Sequence, residues 1–204
     1  MEKYWKEKLE HLPEIKENFP KKEVAFAFVK PDFLEHLPEI KKILKEHALE
    51  IAYSDKTVLS EKAVDYIYQK FKNLGWYEPM KKYLTTHDSG ILFIIGQGLE
   101  AQKVLSSLKK TPEGKDGILR EKFGEHIEVS DEDYKKLDEG RHPKQEELSV
   151  RLSQANVIHT ADSSEEALES LRVIFGDKFE TMKKRGILPS ELWEVFEEDE
   201  KKNK

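Results

Sequence analysis

The stretch that decides the fold is Ala155-Asn156-Val157-Ile158-His159-Thr160-Ala161-Asp162-Ser163. Its apolar pair, at positions 157 and 158, predicts a short strand over 156–159 that ends on the histidine. Asp162 and Ser163 are favoured helix N-caps, and the glutamates at 165 and 166 suit a first helical turn. We therefore predict an imidazole fixed at a strand end. There it would act as a nucleophile, a proton shuttle or a metal ligand, or it would pack as a structural histidine.

A second apolar run, 25–29, leads directly into Lys30-Pro31-Asp32. The run predicts a buried strand over 24–30, and Pro31 ends it because proline has no N–H to donate to a neighbouring strand. A lysine at this end, beside a strand that carries a histidine, suits a bound phosphate. The alternative is a lysine that only extends from the strand end into solvent.

A third segment, 111–120, begins at Thr111 and ends at Arg120. Two glycines and a proline within it predict a loop. The planar guanidinium of arginine binds phosphate oxygens through two parallel donors, and a threonine hydroxyl adds another donor. The alternative is an ordinary surface loop with one exposed arginine.

In their order along the chain, these three segments resemble the nucleoside diphosphate kinase family over residues 23–175, with one large insertion. The resemblance implies that His159 carries a phosphoryl group during transfer from a nucleoside triphosphate to a nucleoside diphosphate. It further implies that Lys30, Thr111 and Arg120 bind phosphates and that Asn156 binds a sugar hydroxyl. The cofactor implied is Mg²⁺, held through nucleotide phosphates and water rather than by a protein metal site.

The segment 65–84 resembles the helical hairpin of the same family. By this likeness Tyr68 lies near the active centre, and the ring of Trp76 covers the nucleobase. Stacking on a ring discriminates little among bases, which suits an enzyme that accepts many nucleotides. The alternative for Trp76 is an aromatic ring that packs one helix against another.

Two of the positions that depart from the family pattern bear directly on the chemistry. Leu105 stands where the family has a second phosphate-binding arginine, and Ser170 stands where it has a glutamate that orients the histidine. The cationic residues that could replace the lost charge are Lys103, Lys109 and Lys110 on the same segment, or Arg141 and Lys144 on the insertion. The departures leave open a weakly active or inactive nucleotide-binding or protein-interaction module of the same fold.

The element order predicts an α+β fold, the ferredoxin-like split βαβ arrangement (βαββαβ), with an antiparallel sheet and helices on its faces. We place this domain at 23–176, between helical extensions at 1–22 and 177–204. Strands are predicted at 24–30, 49–59, 90–95 and 156–159, and helices at 33–46, 61–72, 77–84, 99–108 and 164–175.

The insertion covers about 124–153 and is mostly polar, with a short helix expected from Asp131. We interpret it as a solvated surface excursion. The alternative is a segment that leans over the nucleotide site and supplies a cation to it.

Composition limits the classes of function. A net charge of −6, from 35 basic and 41 acidic residues, provides no global basic field for nucleic acid. The chain has no cysteine, which excludes disulfides and zinc–thiolate sites, and its apolar runs are shorter than the ~20 residues of a membrane span. The charged N-terminus is unlike a secretory signal. We therefore expect a cytoplasmic protein without membrane or nucleic-acid partners. We also expect a homo-oligomer, in keeping with the resemblance rather than with the composition.

Overall fold

The computed structural model describes residues 23–96, 101–110, 114–125 and 127–176, together with the single positions 178, 181 and 184. Thr111 and the predicted helical extension at 1–22 lie outside these residues, as does nearly all of the extension at 177–204. Within the described part, none of the helices has the length and apolar composition needed to span a bilayer.

The described strands and helices alternate in the predicted order. The four strands are β1 (Glu23–Val29), β2 (Leu49–Val58), β3 (Asp88–Gly96) and β4 (Ile158–Thr160). The helices are α1 (Leu37–Glu46), α2 (Glu61–Ile67), α3 (Tyr77–Leu84), α4 (Ala101–Lys109), α5 (Ile118–Phe123), α6 (Asp131–Asp138), α7 (Gln145–Ala155) and α8 (Ser164–Phe175). Short 3₁₀ helices at Pro31–His36 and Gln69–Phe71 occupy parts of two predicted α-helices.

The strands form one antiparallel sheet in the order β2-β3-β1-β4. Strand β1 is therefore central, pairing with β3 on one side and with β4 on the other. In the register of the second pair, Phe28 lies opposite His159. The order β1-α1-β2, then β3-α4-β4, confirms the predicted βαββαβ arrangement and brings the ends of β1 and β4 together.

Alternate side chains of β1 build two cores, one on each face of the sheet. Val24, Phe26 and Phe28 face the side covered by α2, α3 and α8. Ala25 and Ala27 face the side covered by α1 and α4. Both faces are buried, because successive side chains of a strand point in opposite directions, and this explains the unbroken apolar run in the sequence.

The boundaries of two predicted elements were wrong. Asn156 was predicted in the last strand, but it caps the C-terminus of α7, and β4 begins two residues later. Arg120 was predicted at the end of a loop, but it lies within α5. In both cases the element next to or around the residue is short, so the apolar periodicity that marks an element was weak.

The insertion is not the solvated surface excursion that we predicted. Helices α6 and α7 pack on the α2–α3 hairpin, with Leu137 only 1% exposed and Val150 set against the core. The Gly75 amide donates to the Asp138 carbonyl at 2.8 Å. A Cβ atom built on Gly75 would lie 2.3 Å from the Cα of Gly140, so the two backbones are in direct contact. The prediction failed because this contact depends on backbone atoms and glycines, which carry no hydrophobic pattern.

Candidate active site

Lys30 is the first residue after β1 and is only 3% exposed. Its ammonium donates to the main-chain carbonyl of Ser153 in the last turn of α7, and the Ser153 hydroxyl lies 3.4 Å away. Burial, together with the positive charges of Arg120 and Lys109, lowers the pKa of Lys30 to about 7. The alternative of a lysine extended into solvent is therefore excluded.

His159 lies at the centre of β4, where its ring stacks on that of Phe28 with centroids 5.0 Å apart. The ring of Tyr68 packs against it at 5.1 Å. Strand pairing and two aromatic contacts thus fix the imidazole in one orientation. Ser163 caps the following helix by accepting from the Glu166 amide at 3.2 Å, as the sequence predicted.

The imidazole of His159 is held in its neutral form. Its Nε2 atom is buried and has no hydrogen-bond partner among the residues that the structure describes. Burial, followed by the positive charges of Lys109 and Lys30, lowers the pKa of His159 to about 3. The residue as a whole remains partly exposed, so its accessible surface belongs to its other atoms. Because a neutral imidazole keeps a nitrogen lone pair, it can act as a nucleophile at neutral pH.

Lys109 is the last residue of α4 and one of the candidate lysines near Leu105. The structure shows its contact with β4. Its ammonium donates to the Thr160 hydroxyl at 2.9 Å, directly beside His159 in the chain. Leu105 lies one turn earlier and is fully buried in the core. The two insertion candidates, Arg141 and Lys144, are 71% and 65% exposed and pair with neighbouring glutamates.

Arg120 and Asn156 are in direct contact. The arginine Nε donates to the Asn156 Oδ1 at 3.1 Å, and its terminal nitrogen lies 3.4 Å from Asp116. Arg120 is only partly exposed, and its charge lowers the pKa of both Lys30 and Lys109. The structure therefore brings together the arginine and the asparagine that the sequence singled out.

The aromatic residues form a path that leads away from the imidazole. Tyr68 is 8% exposed and contacts His159, and its ring lies 6.4 Å from that of Phe71. Phe71 in turn lies 5.3 Å from the ring of Trp76. The indole N–H of Trp76 donates to Asp138 of the insertion at 3.0 Å, which fixes the ring in place.

Two residues of this region were missed by the sequence reasoning. Ser153 accepts from Lys30, and Asp32 accepts from the Tyr83 hydroxyl and from Gln154, the latter at 3.3 Å. Nothing in the polar sequence of α7 distinguishes Ser153. Asp32 stood in the quoted strand-end motif, and its acidic side chain beside a lysine was the available signal.

The donor set does not resemble a protein metal site. Among the described residues, no three histidine, aspartate or glutamate side chains group as metal ligands would. The side chains around His159 are instead cationic. A divalent ion would therefore bind here with an anionic ligand that brings its own oxygen donors, as Mg²⁺ does with phosphates.

Comparison with known proteins agrees with this geometry. The family model for nucleoside diphosphate kinase matches residues 23–179. Comparison with curated proteins finds no match. Among solved structures, the apo nucleoside diphosphate kinase from Encephalitozoon cuniculi is 16% identical with a TM-score of 0.54, and the alignment covers 76% of this chain and 90% of that one.

Two further structures carry ligands. The enzyme from Halobacterium salinarum in complex with CDP is 16% identical, with a TM-score of 0.54 and coverage of 77% and 90%. The enzyme from Borrelia burgdorferi, a transition-state mimic with vanadate and ADP, is 15% identical, with a TM-score of 0.56 and coverage of 77% and 89%. Such low identity establishes the fold alone. The match to the family model extends over most of the sequence, from β1 past the end of α8, and on that ground the chain belongs to the nucleoside diphosphate kinase family.

Proposed function

We propose that this protein transfers the γ-phosphoryl group of a nucleoside triphosphate to a nucleoside diphosphate through a phosphohistidine at His159. The observation that carries the proposal is the imidazole fixed between Phe28 and Tyr68, with the ammonium groups of Lys30 and Lys109 close enough to act on it. Phosphoryl transfer requires mainly positioning and charge stabilisation, and this arrangement supplies both.

In the first half-reaction, a ring nitrogen of His159 attacks the γ-phosphorus. The N–P bond forms as the bond between the γ-phosphorus and the bridging oxygen breaks, and the nucleoside diphosphate leaves with that oxygen. In the second half-reaction, a terminal oxygen of another diphosphate attacks the phosphohistidine, which releases neutral imidazole. Lys30 and Arg120 stabilise the charge on the phosphates, and we assign the same role to Thr111, which lies outside the described residues.

The remaining residues would bind the nucleoside. Asn156 is placed by Arg120 and would donate its amide N–H to a sugar hydroxyl. Trp76 would stack on the base, with Tyr68 lining the site nearer to the phosphoryl group. Mg²⁺ would enter with the triphosphate, bound to its oxygens and to water, and would neutralise part of its charge.

A second candidate function is that of a module that binds nucleotides without transferring a phosphoryl group. It is favoured by the buried Nε2 atom of His159, which lacks a described partner to orient the ring, and by the loss of charge at Leu105. A histidine held by a carboxylate is a better nucleophile than one held only by packing, because the carboxylate stabilises the charge that develops on the ring.

One experiment separates the two candidates. The purified protein is incubated with γ-³²P-labelled ATP and Mg²⁺ and then tested for a phosphoprotein that is labile in acid and stable in base. We expect label that a nucleoside diphosphate discharges, and no label on His159→Ala. A protein that binds ATP and acquires no label is the binding module instead.

The matched control is His47→Gln. His47 is exposed at the end of α1, and the following strand begins at Leu49, which pairs with Gly96 at the sheet end opposite to Lys30. This variant should label as the wild type does. Equal labelling of His159→Ala and wild type would refute the assignment of the nucleophile.

A further inference from the structure

Three cations meet around His159 with little carboxylate to balance them. Lys30 donates to a carbonyl and Lys109 donates to a hydroxyl, both of which are neutral groups. Arg120 has one carboxylate partner, Asp116, which is half exposed and 3.4 Å away. Within the described part of the chain, neither lysine forms an ion pair with a carboxylate. The carboxylates of Asp32, Asp162 and Glu166 act on the two lysines from beyond ion-pair distance and balance them only in part. Like charges that are balanced only in part cost folding free energy, and a polyanion bound among them relieves this cost.

The charges of the three residues act on one another. Burial lowers the pKa of Lys109, and the charge of Arg120 lowers it further. Arg120 and Lys109 in turn lower the pKa of Lys30, and Lys109 and Lys30 lower that of His159. Lys109 therefore belongs to the same electrostatic cluster as the proposed nucleophile.

Helix geometry explains why Lys109, rather than another lysine of α4, reaches this cluster. Leu105 and Leu108 are buried against the sheet, whereas Lys103 and Lys110 are exposed. Residue 109 follows residue 105 by four positions, so the two lie on the same side of the helix, one turn apart. Lys109 thus lies on the same side of α4 as the buried Leu105, at the point where the end of the helix reaches Thr160.

We propose that Lys109 is a third phosphate-binding residue of this site, held beside His159 by the Thr160 hydroxyl. This inference rests on the proposed function, which uses Lys30 and Arg120 for the same ligand. Lys109 supplies from the end of α4 the cation that position 105 does not. An ammonium has three N–H donors, so Lys109 can contact a phosphate oxygen without releasing Thr160.

The test compares Lys109→Gln with Lys110→Gln, which removes the same charge from the adjacent, exposed position. Dissociation constants for MgATP and for AMP are measured by calorimetry, with melting curves to confirm folding. For Lys109→Gln we expect MgATP to bind about 10- to 100-fold more weakly, the range for a lost charge-assisted contact, with AMP changed less than twofold. Lys110→Gln should bind both as the wild type does, and Lys109→Arg should retain most of the MgATP affinity.

A structural role for Lys109 gives a different pattern. If the residue only ties α4 to β4, then Thr160→Val, which removes the hydroxyl and keeps the charge, will weaken MgATP binding as much as Lys109→Gln does. That result, or wild-type MgATP affinity in Lys109→Gln, would overturn the proposal. Binding is measured in the His159→Ala background, in which no phosphohistidine can form, so the outcome is independent of whether His159 becomes phosphorylated. The labelling experiment tests that question separately.

Discussion

The backbones of Gly75 and Gly140 are in direct contact, which leaves no space for a side chain on Gly75. Gly75 begins the turn before α3, and Gly140 follows α6 of the insertion. An added Cβ on Gly75 would lie 2.3 Å from the Gly140 Cα and 2.5 Å from the Leu137 carbonyl oxygen. The obstacle is backbone on both sides, which cannot move away as the end of a flexible side chain can. The insertion is therefore locked to the hairpin that carries Tyr68 and Trp76.

Gly75→Ala should accordingly destabilise the protein. We expect a loss of about 2–4 kcal/mol in the free energy of unfolding, as for other overpacked sites, measured by urea denaturation. The matched variant is Gly140→Ala, whose Cβ would have 3.6 Å of room but whose φ of +69° is strained for alanine. That strain should cost about 1 kcal/mol. A smaller loss for Gly75→Ala than for Gly140→Ala would contradict the contact.

Asp138 should influence nucleotide affinity from outside the site. Its carboxylate accepts from the Trp76 indole, so Asp138→Ala frees the ring that we propose stacks on the base. We expect KM for nucleoside triphosphates to rise about 3- to 10-fold, equivalent to one lost hydrogen bond, with kcat little changed. Glu139→Ala is the control, because the neighbouring carboxylate pairs only with the exposed Arg141 among the described contacts. An unchanged KM in Asp138→Ala would argue against Trp76 as the base platform.

We expect Lys30 to lower the folding stability of the unliganded protein, although the proposed reaction requires this residue. Its pKa in the folded chain is about 7, below the ordinary 10.5, so below pH 10.5 the unfolded chain binds the proton more readily. Folding is therefore opposed at neutral pH, and the opposition weakens as the pH rises from 7 towards 10.5. We expect Lys30→Met to stabilise the unliganded protein at pH 7 by on the order of 1–3 kcal/mol, and to abolish histidine labelling. A destabilised variant would show that the Ser153 contact outweighs burial of the charge.

The pH dependence of kcat/KM for MgATP should follow Lys30 rather than His159. The lysine must be charged to bind phosphate, so activity should fall as the pH rises through about 7. His159 has a pKa of about 3, so its protonation should not reduce activity between pH 8 and pH 5. In Lys30→Arg the guanidinium stays charged, and the decline above pH 7 should disappear. An acid limb near pH 6.5 would instead indicate a solvent-exposed histidine.

Apolar pattern and motif order predicted the centre of the fold well. The runs that became β1 and β3 are buried on both faces, and the position of Lys30 directly after β1 followed from them. His159 was predicted to end its strand, but it lies at the centre of β4, which continues to Thr160. The fold brings Arg120 and Asn156, both predicted site residues, into direct contact. Their secondary structure was predicted wrongly, because the elements on which they lie or border are short and carry little periodicity.

The surroundings of the site were harder to predict. The contact of α7 with Lys30 is made through a main-chain carbonyl, and no side-chain pattern encodes such a contact. The choice of Lys109 among the candidate lysines depended on where α4 ends and on the rotation of its buried face. Both are properties of packed elements, which a single sequence specifies only through the whole fold.

The contact between Lys30 and Ser153 also fixes the direction in which Lys30 can donate a further hydrogen bond. A carbonyl in the last turn of a helix has no N–H partner within that helix, and here the lysine supplies the partner. With the carbonyl and the hydroxyl of Ser153 facing two of its three donors, Lys30 has one N–H left to offer. The length of α7 thus fixes where that single donor points. Adding or removing one residue within α7 would rotate the helix end and turn the lysine away from its proposed target, without altering any residue that we assign to the nucleotide site.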